Sequence, residues 1–444
     1  MVSYQRVRLT ELTAYFKNRF KTSGFARNAA YLTGITGIER VAALVQTILL
    51  ARALGIGEYG VYGLLFSTVG FVASVMGLQM GLTATVFVAR YRDSDKTNAG
   101  AVIRYVMRFA FAVSGVFLFL SLPFLSWLSD WLLQSADYRL AIAMGCFFVV
   151  ASIMSGVQDG VVEGFEDFRS VAIARLVGTL LTLSLIYPVT VAYRLNGALV
   201  VLLAGVMAKY FLLLMVAVKH KKENAIPSRG GDVRFWVLVK DFSLPSMLVS
   251  LLLGAVMWFG MYLLSRLPTG FTAVAVVNVG LQWRGPILLI TDALGRVAVP
   301  IFSRHESAGD DAASQRFKRK LIRVSGIASV ASALVLSASA DFLLSLYGKD
   351  FRSGWLEFAI LMAAVVPQVL ANVYMQELVG RGRMWRQFLL YLPLLLVAGL
   401  GFLLMVPRWG GLGFACSVFL AMVTFVGFAN RYSARRCGVN LGVK

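Results

Sequence analysis

Long apolar runs separated by short polar stretches recur from one end of this sequence to the other. Each run has about 20 residues, which is the length of helix that crosses a hydrocarbon core about 30 Å thick. A transmembrane barrel would instead show alternating strands of roughly ten residues. The pattern therefore predicts an all-α polytopic membrane protein with about twelve transmembrane helices. The predicted spans are residues 29–52, 61–89, 105–126, 139–160, 171–193, 198–218, 243–265, 272–294, 322–340, 355–378, 387–406 and 411–429.

The composition supports a membrane protein. Hydrophobic residues make up 58% of the 444 residues and charged residues 15%, whereas soluble domains have about 45–50% and about 25%. The basic residues are also distributed unevenly. If the N-terminus is cytoplasmic, the outside turns hold only seven of the 43 Lys and Arg residues, namely Arg52, Arg139, Arg194, Arg266, Lys349, Arg352 and Arg408. Because Lys and Arg concentrate in cytoplasmic loops, both termini are predicted to be cytoplasmic.

The net charge of +21 follows from this topology. We expect anionic lipids as partners of the cytoplasmic face, and no nucleic acid. Residues 1–28 contain a basic, amphipathic stretch, which predicts a helix lying on the inner leaflet, and residues 430–444 form a cytoplasmic tail.

Short patterns recur at equivalent points of the predicted topology. The fourth span ends in Gln158-Asp159-Gly160-Val161, and the tenth ends in Gln376-Glu377-Leu378-Val379. Corresponding basic stretches follow the second and eighth spans. We predict two six-helix lobes, residues 29–218 and 243–429, joined by a cytoplasmic linker at 219–242. Such parallel repeats are related by an axis along the membrane normal, as in transporters with alternating access.

The sequence argues against an enzyme. The predicted outside loops are short, no Walker A motif occurs, and the two histidines, His220 and His305, fall in predicted cytoplasmic loops. We therefore expect no metal site and no cofactor. A polymerase or ligase of a glycan pathway remains the enzymatic alternative.

Ionisable side chains inside the predicted spans are candidates for function, since each costs roughly 2.5–3.5 kcal/mol to insert. Of those near the middle of a span, three are cations, Arg40, Lys209 and Arg284, and one is an anion, Glu39. Ion pairs that pin helices together are one reading. A water-filled cavity that receives an anion is the other, because arginine binds phosphate through two parallel hydrogen bonds.

Two polar pairs lie four residues apart on predicted helices, Asn278 with Gln282 and Gln368 with Asn372. Each pair shares one helical face. They serve either as interhelical hydrogen bonds or as ligands for sugar hydroxyls.

The run LLARALGIGEYGVYGLLFS at 49–67 resembles the first hairpin of the bacterial polysaccharide flippases, relatives of the multidrug and toxin extrusion transporters. Residues 241–252, 297–307 and 346–383 resemble other stretches of that family. The resemblance implies a V-shaped, two-lobed protein of the bacterial inner membrane that moves undecaprenyl-pyrophosphate-linked oligosaccharide outward by alternating access.

The resemblance also implies basic residues in a central cavity, at positions that Arg40 and Arg284 fit; Lys209 is added from the charge count. Glu39 is the candidate for coupling to a proton or sodium gradient. The seventh span, MWFGMYLLSR at 257–266, lacks the carboxylate of many family members. A polysaccharide polymerase is an expected partner. An ion-coupled multidrug exporter and a lipid II flippase are the alternatives.

Overall fold

The computed structural model describes residues 23–227, 230, 244–308, 310–380 and 384–439. Within these residues the chain is almost entirely helical and contains no strand, which confirms the predicted fold class. Most of the predicted interfacial segment, residues 231–242 of the predicted linker and the end of the predicted tail lie outside the described residues.

The described first half contains six α-helices. They are α1 Ser23–Gly77, α2 Met80–Tyr91, α3 Lys96–Ser121, α4 Leu125–Leu133, α5 Arg139–Gly164 and α6 Phe168–Glu223. Carboxylates cap two helix N-termini. Asp95 accepts hydrogen bonds from the backbone N–H groups of Thr97 and Asn98, and Asp167 accepts one from Ser170, as capping residues do.

The described second half also contains six. They are α7 Leu244–Ser265, α8 Gly270–Ala308, α9 Asp311–Ala338, α10 Ala340–Ser345, α11 Trp355–Gly380 and α12 Met384–Val439. Helix α8 extends well past the predicted end of its span at residue 294, and α9 begins eleven residues before the predicted start at 322. Much of the predicted cytoplasmic loop is therefore helical.

Three helices contain a single residue with non-helical backbone: Gly55 in α1, Arg194 in α6 and Gly410 in α12. In α6 the arms before and after Arg194 fold back on each other, as the contact of Gly205 with Thr182 shows. Helices α6 and α12 each cover two predicted spans, and α1 covers the first span and the second as far as Gly77.

Eight helices among the described residues are long and apolar enough to cross a membrane. Three of them are the kinked helices, and a further predicted span, 272–294, lies within α8. The helices therefore agree with about twelve predicted crossings.

The second predicted span, 61–89, is not one continuous helix. Helix α1 ends at Gly77, and α2 begins at Met80. Between them, Leu78 and Gln79 have positive φ angles of 43° and 54°. Discontinuous helices are common in transporters, where they expose backbone groups inside the bundle.

The halves meet where α1 packs against α7 and α8. One approach is so close that only glycine fits: a Cβ atom at Gly60 would lie 1.9 Å from the carbonyl oxygen of Phe271. We call this end of the bundle, which carries Gly55, Arg194 and the α7–α8 turn, the hairpin end.

Hydrogen bonds between the halves add to this contact. Arg52 Nε donates to the carbonyl of Leu346 at 2.6 Å, and Gln134 Nε2 donates to the carbonyl of Ser265 at 2.8 Å. The hairpin end is thus closed by backbone contacts as well as by side chains.

Candidate functional site

Arg284 is a buried cation in the middle of α8. Its side chain is only 6% exposed and donates a hydrogen bond to Oε1 of Gln368 on α11. Among the described residues it forms no salt bridge, and its Nε has no hydrogen-bond partner. A buried charge with a neutral partner is costly, and Arg284 keeps hydrogen-bonding capacity that its described neighbours do not use.

Arg40 lies beside the same turn of α8 but belongs to the other half. Its guanidinium group contacts Gly285, where an added Cβ would lie 3.2 Å from Nη1 of Arg40. Unlike Arg284, Arg40 is exposed. Two of the three predicted cations therefore lie at or next to the junction of the halves.

Lys209, the third predicted cation, is paired. Its Nζ lies 2.8 Å from Oδ2 of Asp159. The same carboxylate receives Arg175 Nε at 3.3 Å, and Arg175 also reaches Glu163 at 3.1 Å. Glu39 lies within electrostatic range of Arg175 and Lys209. Asp159 and Glu163 therefore neutralise part of the positive charge that the sequence analysis assigned to the middle of the bundle.

The four predicted polar side chains differ in their described contacts. Gln368 is bound to Arg284. Asn278 lies on α8 against the second arm of α1, with its Nδ2 3.0 Å from where a Cβ would stand at Gly63. Gln282 and Asn372 are partly buried. The structure thus places one of the four beside a predicted cation.

The second half contains an ion pair that sequence reasoning missed. Lys318 Nζ lies 3.1 Å from Oε2 of Glu377, with the two side chains 5% and 10% exposed. Glu377 stands at the position that corresponds to Asp159 in the predicted duplication. Each half therefore pairs a carboxylate at that position with a lysine, a relation that the repeated Gln-Asp and Gln-Glu pairs could have signalled.

The tip of the first hairpin is clamped within its own half. Arg194 donates to the carbonyls of Ala53 at 2.9 Å and Leu54 at 3.0 Å, and lies 3.1 Å from the carboxylate of Glu58. These carbonyls end the first arm of α1, where a cation also complements the helix dipole. The sequence indicated neither the clamp nor the positive φ of Arg194.

A stack of aromatic rings crosses the junction near the hairpin end. Trp131 of α4 stacks on Tyr262 of α7 with ring centroids 5.1 Å apart, and Phe71 of α1 stacks on Trp258 of α7 at 5.6 Å. Trp258 Nε1 also donates to Thr68 at 2.9 Å. Among the described residues, no cluster of three or more His, Cys, Asp or Glu side chains could hold a metal ion.

Comparison with solved structures shows the fold. The chain superposes on a multidrug resistance transporter of the MATE family in an inward-facing conformation with a TM-score of 0.77 and 14% identity, covering 93% of this chain and 98% of that one. For an outward-facing MATE transporter the TM-score is 0.66 at 17% identity, with 94% and 96% covered. The arrangement of the helices is thus more similar to the inward-facing structure.

Comparison with known sequences gives the family. The EPS I polysaccharide export inner membrane protein EpsE of Ralstonia solanacearum is 22% identical over 365 residues, covering 80% of this chain and 81% of the relative. A family model described as polysaccharide biosynthesis protein matches residues 25–306. The chain therefore belongs to the polysaccharide biosynthesis protein family and has the two-lobed helical fold of a membrane transporter, as its hairpin sequence predicted.

Proposed function

We propose that this protein is a flippase for undecaprenyl-pyrophosphate-linked oligosaccharide in a bacterial inner membrane, with both termini cytoplasmic, acting in surface polysaccharide biosynthesis. The observation that supports this most is the state of Arg284. A buried guanidinium with a glutamine as its described partner provides free N–H donors and an unneutralised charge. A diphosphate is doubly suited to such a site, because it accepts several charge-assisted hydrogen bonds at once.

Arg40 is proposed as the first contact of the pyrophosphate. It is exposed, and it lies on the opposite half from Arg284 but against the neighbouring residue, Gly285. An anion held by both arginines would therefore bridge the halves. Because such bridging depends on how the halves are arranged, the substrate would bind the two states of the transporter with different affinity, as alternating access requires.

Lys209 takes a secondary part in this proposal. Its ammonium group is already engaged by Asp159 at 2.8 Å. Binding of a pyrophosphate by Lys209 would need Asp159 to be held by Arg175 alone. Sugar hydroxyls are assigned to Asn278, Gln282 and Asn372, and to Gln368 once it is released from Arg284. The polyprenyl tail remains in the lipid beside the junction of the halves.

Glu39 is proposed as the coupling residue. It is partly buried next to Arg40 and within electrostatic range of Arg175 and Lys209. Binding of a proton or sodium ion to Glu39 would remove a negative charge close to Arg40, Arg175 and Lys209. The ion gradient would then drive transport without nucleotide hydrolysis. A polysaccharide polymerase would act on the substrate after its translocation.

The test uses cells that depend on this gene for surface polysaccharide. Arg40→Glu and Arg284→Glu are expected to abolish polymer and to cause lipid-linked oligosaccharide to accumulate. Arg108→Glu, which changes an exposed arginine of α3, is the matched control and is expected to leave polymer output normal. Normal polymer with normal protein levels in both Arg40→Glu and Arg284→Glu would refute the pyrophosphate site.

One observation favours an ion-coupled exporter of cationic compounds as a second candidate. The cluster around Asp159 holds three carboxylates, Glu39, Asp159 and Glu163, beside three cations, Arg175, Lys209 and Arg40. A small organic cation could bind there by displacing one of these side chains from its carboxylate. Loss of drug resistance on deletion, with unchanged polysaccharide, would select this function over the flippase.

A further inference from the structure

The aromatic stack that joins the halves has a composition suited to more than packing. Its rings are Trp127 and Trp131 from α4, Trp258 and Tyr262 from α7, and Phe71 from α1. Neighbouring rings are close to parallel, with interplanar angles of 11° between Trp127 and Trp131 and 28° between Trp131 and Tyr262. Trp131, Tyr262 and Trp258 all contact one another, with ring centroids 5.1 to 6.2 Å apart, and Trp127 and Phe71 extend this group. We call these five rings the aromatic column.

Polar groups surround the same column. Arg266 lies over the ring of Tyr262 at 4.6 Å, donates to its hydroxyl at 2.8 Å and also donates to the carbonyl of Trp131. Gln134 donates to the carbonyl of Ser265 at 2.8 Å. These last two hydrogen bonds cross the junction, so separation of the halves would release both donors.

Separation would also release ring faces. Trp131 belongs to the first half, whereas Tyr262 and Trp258 belong to the second. As the hairpin end opens, Trp131 and Tyr262 separate, and the two ring faces that were in contact both become free. Trp127 already exposes 60% of its surface at the outer end of the column.

We propose that this column is a sugar-binding platform, and that pyranose rings of the transported glycan stack on the ring faces that opening exposes. A sugar ring presents C–H groups to the electron-rich face of an aromatic ring and hydroxyls at its edge. Freed Arg266 and Gln134 would donate to those hydroxyls. A polyprenyl tail has no acceptors for these hydrogen bonds, which favours the glycan as the occupant.

The proposal rests on the flippase function but adds a separate site, distant in sequence from Arg40 and Arg284. The closed stack and the bound sugar compete for the same faces. Sugar binding would therefore stabilise the open hairpin end, because a ligand shifts a conformational equilibrium toward the state it binds. The transported glycan would thus itself favour opening of the hairpin end.

The test is calorimetric binding to the full-length protein in nanodiscs. The probe is the oligosaccharide released by mild acid from the lipid-linked intermediates of the source cell. Trp131→Leu is expected to weaken binding about tenfold, the scale of one lost aromatic contact. Trp131→Phe retains a ring and is expected to bind nearly as wild type. Trp409→Leu is the control, since Trp409 is also an exposed tryptophan, 57% against 39% for Trp131, and lies beside the Gly410 kink, outside the column.

The direction in which Trp131→Leu changes the affinity distinguishes a sugar-binding platform from a latch, that is, a contact that only holds the hairpin end closed. Trp131→Leu also removes a contact that holds the hairpin end closed, so a latch alone predicts unchanged or tighter binding. Wild-type affinity in Trp131→Leu, tighter binding, or no binding by the wild type would each overturn the proposal. If Trp131→Leu does not give monodisperse protein, Gln134→Ala carries the test, because it leaves every ring in place.

Failure of this proposal is distinguishable from failure of the flippase function. Accumulation of lipid-linked oligosaccharide on deletion of the gene reports the latter and does not depend on the aromatic column. A deletion strain that accumulates the intermediate, together with wild-type protein that does not bind the free oligosaccharide, would reject only the platform.

Discussion

The ammonium group of Lys209 lies 2.8 Å from the carboxylate of Asp159, which also receives Arg175 at 3.3 Å. The side chains of Lys209 and Asp159 are 22% and 15% exposed, so the pair is only partly hydrated. This one relationship links α5 to both arms of α6 and converts apparently free charges into a network.

Asp159→Asn is expected to destabilise the protein more than Lys209→Met. Loss of the carboxylate leaves Lys209 unpaired, whereas Arg175 keeps Glu163, and an unpaired charge that is mostly shielded from water costs about 3 kcal/mol. Loss of the lysine leaves Asp159 with Arg175, and we expect a cost of about 1–2 kcal/mol. Thermal unfolding in detergent measures both, and the double variant tests the coupling between the two sites. Equal effects of the two single variants would contradict the network.

Arg194 provides a second test, because its side chain and its backbone act in opposite directions. Its φ of 52° and ψ of −141° favour glycine, whereas its guanidinium binds the carbonyls of Ala53 and Leu54. Arg194→Ala loses the hydrogen bonds and keeps the strain, so it is expected to cost about 2–3 kcal/mol. Arg194→Gly relieves the strain and is expected to be the milder variant by about 1 kcal/mol. Unfolding temperatures rank the two variants. The reverse order would show that backbone strain at this position is unimportant, and wild-type stability of Arg194→Ala would show the same for the clamp.

Gly60 controls closure of the hairpin end. An added Cβ would meet the carbonyl of Phe271 at 1.9 Å, so Gly60→Ala is expected to push the halves apart. The matched control is Gly57→Ala, where nothing lies within 4 Å and the change should be neutral or slightly stabilising in a helix. Spin labels on α1 and α8 at the hairpin end report the distance between the halves. Identical distance distributions in the two variants would show that the contact does not set closure.

The loop between α5 and α6 is predicted to lose stability in acid. His220 and Ser170 bind Asp167 at 2.9 Å and 2.6 Å. Burial would raise the pKa of Asp167, but these hydrogen bonds outweigh it and hold the pKa below its ordinary value. The stabilisation is therefore complete above the unfolded pKa of about 3.9 and is lost as the pH falls through the lower folded value.

The unfolding temperatures of wild type and Asp167→Asn, compared from neutral to acidic pH, test this expectation. The difference between them should be constant near neutrality and shrink below about pH 4. Asp93→Asn is the control, since Asp93 is 74% exposed and its pairing with Arg92 contributes little. A difference that does not narrow in acid would contradict the role of the Asp167 carboxylate.

The helices were predictable because each apolar run carries its own signal: helices cover most of every predicted span, although 61–89, 105–126 and 322–340 are each divided between two helices. The break at Leu78 and Gln79 was not predicted, because apolar residues continue on both sides of it. The structure places it next to a close contact between helices. Gly81 packs so closely on α5 that a Cβ there would lie 2.5 Å from the carbonyl oxygen of Gly156. Only the two glycines flanking the break, Gly77 and Gly81, marked it in the sequence.

The candidate site was predictable in part. Arg40 and Arg284 were found because charge inside an apolar run is rare, and the structure brings Arg40 to the neighbour of Arg284. The pairing of Lys209 with Asp159 was missed, since the partners are 50 residues apart and their depth depends on how α5 and α6 pack. Lys318 was missed for a similar reason, because a basic run before a span looks cytoplasmic.

In the proposed mechanism, the buried arginine Arg284 receives the pyrophosphate of a lipid-linked oligosaccharide during its translocation. The most direct measurement uses proteoliposomes loaded with undecaprenyl-pyrophosphate-linked oligosaccharide, in which a soluble glycosidase reports how fast glycan reaches the outer surface. Wild type and Arg108→Gln are expected to expose the glycan rapidly, and Arg284→Gln about tenfold or more slowly, the scale of a lost charge-assisted hydrogen bond. No exposure by the wild type, or an equal rate in Arg284→Gln, would contradict the account.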